Sequence, residues 1–206
     1  MNTAYFSWPD AARWRAFLWF MAWFYAFFFP LYFGAGHVAA HSPRTYGFYA
    51  DWERNIPLIQ WMILPYLSLY SVFLLPLFHL SAKQIAMLTR QSTAVLLVAG
   101  GIFLLLPTHL GFAPASVMGW HQPLFELLAQ ADTPHNLVPS LHVAFAALIL
   151  LGCAERAPKY WAWGYGAWLV LMSAATVLVH QHHLLDVISG LGLAIIMRRI
   201  FPLGSS

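Results

Sequence analysis

Charge is scarce in this chain. Asp, Glu, Lys and Arg make up 8% of its 206 residues, against 61% hydrophobic. A soluble domain carries roughly 25% charged residues, so a soluble globular class is excluded. Apolar blocks fill almost the whole length and leave no room for a separate soluble domain. The chain therefore reads as one membrane-embedded domain over residues 1–206. Cysteine is scarcer still. Cys153 stands alone inside an apolar run, which excludes an intramolecular disulfide and a cysteine metal cluster. Internal repeats and low-complexity tracts are lacking too.

Six apolar blocks remain once these classes are set aside. A spanning helix needs about 20 mostly apolar residues. The blocks predict an all-helical bundle with spans near 14–33, 56–80, 92–110, 139–154, 161–179 and 184–197. The first is too long and too aromatic for a cleaved signal peptide. Pro57, Pro65 and Pro76 are expected to kink the second. Residues 83–90 read as a short basic turn before the third span. Residues 37–55 read as a polar, aromatic-rich interfacial segment, with Arg44 and Arg54 as anchors or partners of Asp51 and Glu53. Residues 111–138 read as a polar loop with a short helix near 123–130.

The basic residues orient the bundle. With the N-terminus in the cytoplasm, Arg13, Arg15, Lys83, Arg90, Arg156, Lys159, Arg198 and Arg199 fall inside, and only Arg44 and Arg54 fall outside. This obeys the positive-inside rule with both termini cytoplasmic. The formal net charge of +3 is thus an orientation signal, and a nucleic-acid partner is not expected. The same topology puts nine of the ten histidines on the extracytoplasmic side, with His79 alone inside. Ionisable residues near membrane depth are functional candidates.

Two points on that side carry chemistry. The first is Asn136-Leu137-Val138-Pro139-Ser140-Leu141-His142. Pro139 and Ser140 open a helix, Asn136 is a plausible cap, and the free N–H groups of the first turn form an anion site. The second is His180-Gln181-His182-His183-Leu184-Leu185-Asp186. His182 and Asp186 are four residues apart and share a helical face. A carboxylate there can hold an imidazole in one tautomer and make it a nucleophile or a base. His183, three residues from Asp186, competes for that role. A histidine in the first turn beside a bound phosphate can protonate a leaving oxygen, so His142 suits general-acid work.

Pro139-Ser140-Leu141-His142, followed about forty residues on by His182-x-x-x-Asp186 and then Gly190, resembles the type 2 phosphatidic acid phosphatase superfamily. Its motif style is similar to the branch containing inositol phosphorylceramide synthases. The resemblance covers residues 92–200 well and the first two spans hardly at all. It implies a six-span enzyme of the plasma or inner membrane, with its site on the extracytoplasmic face. It implies His182 as nucleophile, Asp186 as orienting carboxylate and His142 as general acid, with neither metal nor cofactor. Family spacing favours His182 over His183. Ser140, the Leu141 backbone, His180, His109 and Thr176 are the phosphate-contact candidates. The substrate implied is a phospholipid or an isoprenoid phosphate.

The chain departs from the family pattern in its cations. The Lys and Arg-Pro of the first motif are missing, and residues 106–114 stand in that place with His109 and Ala113 where basic residues are expected. The Ser-Arg before the nucleophile reads Ala175-Thr176. A phosphate monoester carries nearly two charges at neutral pH, and cationic clamps normally offset them. Their loss favours a singly charged phosphodiester. Two rival readings stand beside the enzyme. One is a metal or haem membrane protein ligated by the histidine cluster. The other is an inactive, lipid-binding superfamily member. His121 and His135 read as loop residues, and Asp132 and Asn136 as turn and cap residues.

Overall fold

The computed structural model describes residues 5–113 and 117–204, so Pro114, at the end of the stretch standing in for the family's first motif, lies outside the described residues. Nine α-helices form among them: α1 (Ala11–Ala40), α2 (Ile63–Leu67), α3 (Leu69–Val72), α4 (Leu75–His79), α5 (Ala82–Leu105), α6 (Gln122–Ala131), α7 (Leu141–Ala154), α8 (Lys159–Leu178) and α9 (Leu184–Ile200). Three of them, α1, α5 and α8, are long and apolar enough to cross a membrane.

Helix α7 is the axis of the fold. Its sequence is apolar on every side, which demands burial all round. Residues 143–150 are all buried, enclosed by α5, α8 and α9 with α3 and α4 at one flank. Helix α1 packs lengthwise against α5. Its inward aromatics Phe17, Phe20 and Phe24 join the core, and Phe24 meets Phe145 of α7 edge-on at 4.9 Å. Trp19, Trp23 and Phe29 stay on its outer surface.

Four expectations need correction. Residues 83–90 are not a turn but the first turns of α5. Ser81 and Gln84 form a reciprocal capping box, so the helix starts ten residues early. It ends at Leu105 rather than 110. Residues 56–80 are not one kinked helix. A one-turn piece, Gln60–Met62, is followed by the separate helices α2, α3 and α4, consistent with prolines 57, 65 and 76, which cannot donate to a helical ladder. The first helix runs on to Ala40 and takes up the start of the supposed interfacial segment. Helix α7 is capped by Ser140, whose hydroxyl accepts from the Val143 N–H at 3.3 Å, and not by Asn136. The short helix of the 111–138 loop does form, as α6.

At one end of the bundle three connecting segments lie over the helix termini. The Tyr46 N–H donates to the Pro107 carbonyl at 2.8 Å, and the His109 N–H donates to the Tyr46 carbonyl at 3.0 Å. The Thr108 hydroxyl donates to the His135 carbonyl at 2.5 Å and accepts from the Leu137 N–H at 3.1 Å. This cover holds the segments that carry the histidines.

Candidate active site

The two histidine-bearing points meet directly. The Ser140 N–H donates to the Asp186 carbonyl at 3.0 Å. Four residues along α9, Gly190 faces the Ser140 carbonyl. A Cβ there would lie 2.4 Å from that oxygen, so only glycine permits the approach. Nearby, the turn after α8 is shaped by Thr176. Its carbonyl accepts from the N–H groups of both Gln181 and His182 at 3.0 Å. His180 takes a left-handed backbone at φ 59°. The turn delivers His182 to the base of α9.

His182 Nδ1 lies 3.3 Å from Asp186 Oδ2. Both side chains are buried. The carboxylate can only accept here, so Nδ1 carries the proton and the lone pair of Nε2 is free. The same Oδ2 accepts from the His183 N–H at 2.8 Å, which also caps α9.

His183 is held at Nε2 and on both faces of its ring. Its Nε2 accepts from the Gly111 N–H at 3.0 Å, which places its proton on Nδ1. Nδ1 faces Glu53 Oε2 at 3.5 Å. Its ring is sandwiched between Tyr49 and Phe112, each with centroids 4.4 Å away, and His180 stacks on the far side of Phe112 at 4.0 Å. Four rings thus form a column that pins the covering segments to α9. Gly111 is part of this packing, because a Cβ on it would fall 2.4 Å from the Tyr49 ring. Burial lowers the His183 pKa below its ordinary value, although the Asp186 and Glu53 carboxylates pull upward. Burial lowers His180 likewise, against its bond to the Ile56 carbonyl.

His142 sits in the first turn of α7, stacked on Tyr66 with centroids 4.0 Å apart. Its Nε2 is buried without a partner. His142 and His182 line one cavity of about 380 Å³. Leu141 also lines it. The rest of the wall is largely aromatic, with Phe24, Phe28, Tyr32, Tyr66, Phe73 and Phe145 among its residues. The rim includes Tyr25, Phe29 and Phe33 of α1 with Tyr70 and Leu74 opposite, all exposed. The cavity therefore opens sideways between helices. No Lys or Arg is among the described residues that line it.

Several sequence candidates lie elsewhere. Ser140 is fully buried and spends its hydroxyl on the α7 cap. The Thr176 hydroxyl donates to the Ser173 carbonyl. His180 Nε2 donates to the Ile56 carbonyl at 2.9 Å. His109 bonds Thr45 at 3.1 Å and Tyr49 at 3.4 Å. None of these four lines the cavity. This dispersal also leaves no group of three His, Cys, Asp or Glu side chains arranged for a metal among the described residues. Glu53, expected from sequence as a partner of Arg44 or Arg54, is turned inward. It is buried, and it accepts from the N–H groups of Leu184 at 2.8 Å and Ala50 at 2.9 Å. It therefore caps α9 from 131 residues away.

Sequence reasoning missed one further group. Asp132, expected as a turn residue, accepts from the hydroxyls of Tyr32 and Tyr66, the latter at 3.2 Å, and lines the cavity. Asn136, expected as a cap, donates from Nδ2 to the Tyr32 carbonyl at 2.6 Å. No local pattern marks either role, because their partners lie on α1 and α2. No family model, curated protein or solved structure matches the chain.

Proposed function

We propose that the chain is a membrane enzyme that cleaves a lipid phosphoester through a phosphohistidine on His182. The observation that carries this reading is one cavity lined by both His142 and an Asp186-oriented His182, and open sideways through an aromatic rim. In a bilayer such an opening faces acyl chains, so a lipid can bring its phosphate to the histidines without leaving the membrane. The positive-inside count favours a six-span bundle with both termini cytoplasmic and the cavity toward the extracytoplasmic side.

The chemistry follows from the atoms available. The free Nε2 of His182 attacks phosphorus, forming a P–N bond as the ester P–O bond breaks. The leaving oxygen takes a proton from His142, whose Nε2 has no protein partner. A bound phosphate anion favours the protonated form of His142 before that transfer. Asp186 stabilises the charge that develops on His182. The N–H groups of Leu141 and His142 have no partner four residues back, and the helix dipole adds its positive end. Water or a second alcohol then attacks phosphorus, His142 accepts its proton, and His182 is released. With no Lys or Arg among the described lining residues, a singly charged phosphodiester suits the cavity better than a monoester.

The test is product release by purified protein in detergent. Phosphatidic acid, an isoprenyl pyrophosphate and several phosphodiester phospholipids are offered to wild type and to His182→Ala. Turnover of at least one lipid is expected in the wild type. It should fall to background in the variant while thermal stability is retained. Most of the activity surviving in His182→Ala would sink the mechanism.

A further inference from the structure

The cavity has a second polar end that this chemistry does not use. Asp132 lines it, held by the hydroxyls of Tyr32 and Tyr66 and by the Thr133 N–H at 2.8 Å. These donors orient the carboxylate but bring no positive charge. Asn136 stands beside it, 2% exposed and also lining the cavity. Its Nδ2 is committed to the Tyr32 carbonyl, which can only accept, so the free end is Oδ1. That oxygen is buried without a partner among the described residues. A buried acceptor left unpaired costs stability, and a donor arriving in the cavity would satisfy it.

The distance to the reacting end is short. Tyr66 lies ring to ring with His142 at 4.0 Å, and its hydroxyl reaches Asp132 at 3.2 Å. One tyrosine therefore bridges His142 and the carboxylate. A phosphate bound at His142 and His182 would face Asp132 across the Tyr66 side chain. Two negative charges across that side chain, with no Lys or Arg among the described residues that line the cavity, repel strongly in a low dielectric. A cation between them turns both interactions favourable. The rings of Tyr25, Tyr32, Tyr66 and Tyr70 line the same space, and aromatic faces attract ammonium groups.

We propose that this end of the cavity binds the ammonium of a lipid head group, so that the substrate class is a zwitterionic phosphodiester phospholipid. The ammonium lies against Asp132, Asn136 Oδ1 and the tyrosine rings. The phosphate then falls between His142 and His182. This deepens the function proposed above, on which the placement of the phosphate rests; the ammonium site rests on the carboxylate, the orphan amide oxygen and the rings.

Binding is measured on His182→Ala protein, which removes turnover from the readout. Short-chain diacyl lipids with ethanolamine, choline, glycerol or bare phosphate heads are titrated calorimetrically in detergent. The ethanolamine or choline lipid should bind about tenfold tighter than the glycerol lipid of equal chain length. That ratio should fall toward one when Asp132→Asn is added. Equal or tighter binding of the glycerol or phosphatidate lipid overturns the proposal without recourse to any Asp132 variant. An unchanged ratio in a folded Asp132→Asn protein overturns it as well, and would leave Asp132 as a staple for two tyrosines. The ethanolamine and choline arms separate a primary ammonium, which can donate to Asn136, from a quaternary one held by the rings. Wild-type turnover of the same lipids is scored separately. A head-group preference without turnover keeps the ammonium site and removes the catalytic reading. Turnover of phosphatidate alone removes the ammonium site and keeps the enzyme.

Discussion

His182 and His183 are neighbours in the chain, and both are buried, yet they face different partners. His182 turns one nitrogen to Asp186 and the other toward a cavity. His183 has its nitrogens at Gly111 and Glu53 and its ring between two aromatics. His183→Gln keeps a donor for Glu53 and an acceptor for Gly111. It should leave turnover within about tenfold of wild type, the scale of one lost positioning contact. Loss as complete as in His182→Ala would make His183 the nucleophile. The same residue sets a pH dependence. The folded pKa values of His183 and His180 are lowered, so the unfolded chain binds more protons in the acid range. Their contribution to stability is full above the unfolded value near 6.5 and is lost as pH falls toward the folded values. Thermal midpoints should therefore drop on acidification below about pH 6.5, and the drop should be shallower in His183→Gln. A midpoint flat across that range would contradict the assigned shifts.

At the scale of elements, the site depends on how closely α9 approaches the start of α7. The Ser140 N–H bond to the Asp186 carbonyl and the bare face of Gly190 belong to one contact. Gly190→Ala places a methyl group 2.4 Å from a backbone oxygen, which no rotamer relieves. The helices must separate, at a cost of about 1–3 kcal/mol or more. Thermal unfolding should shift down, and turnover should fall with it, since Asp186 and His142 ride on the two helices that part. A Gly190→Ala protein as stable and active as wild type would show that the contact is dispensable. Glu53 acts at this scale too. It caps α9 from the short 3-10 helix Asp51–Asn55, which ties the covering segments to the helix that carries the site.

At the scale of the molecule, the question is which way the bundle sits in a membrane. Cys153 is buried and should be silent to labelling, so single cysteines can report sidedness. Arg44, Lys83 and Lys159 are all exposed. On intact cells a membrane-impermeant thiol reagent should reach Arg44→Cys. Lys83→Cys and Lys159→Cys should react only after lysis. Labelling of all three, or of Lys83→Cys alone, would overturn the proposed orientation. The cavity bears on the same scale. It is built from α1, the broken stretch after residue 60 and α7, and its opening lies on the side of the bundle rather than at its end.

The scarcity of charge pointed to long apolar helices, and three of the helices are long and apolar enough to cross a membrane. The pairing of His182 with Asp186 was legible as a spacing of four, but the shared helical face expected for it does not form: α9 begins at Leu184, and His182 reaches Asp186 from the turn before the helix. Helix bounds were less legible. The Ser81 and Gln84 box outweighed the basic character of residues 83–90, and three prolines broke a stretch whose hydropathy alone suggested one span. What lay beyond reach were contacts between residues far apart in the chain. Tyr32 and Tyr66 meet Asp132 across 100 and 66 residues, and Glu53 meets Leu184 across 131. No local pattern encodes such meetings. They arise where packed helices and the segments above them come together, and only the tertiary structure assigned Asp132 and Asn136 to the cavity and His183 to the ring column between Tyr49 and Phe112.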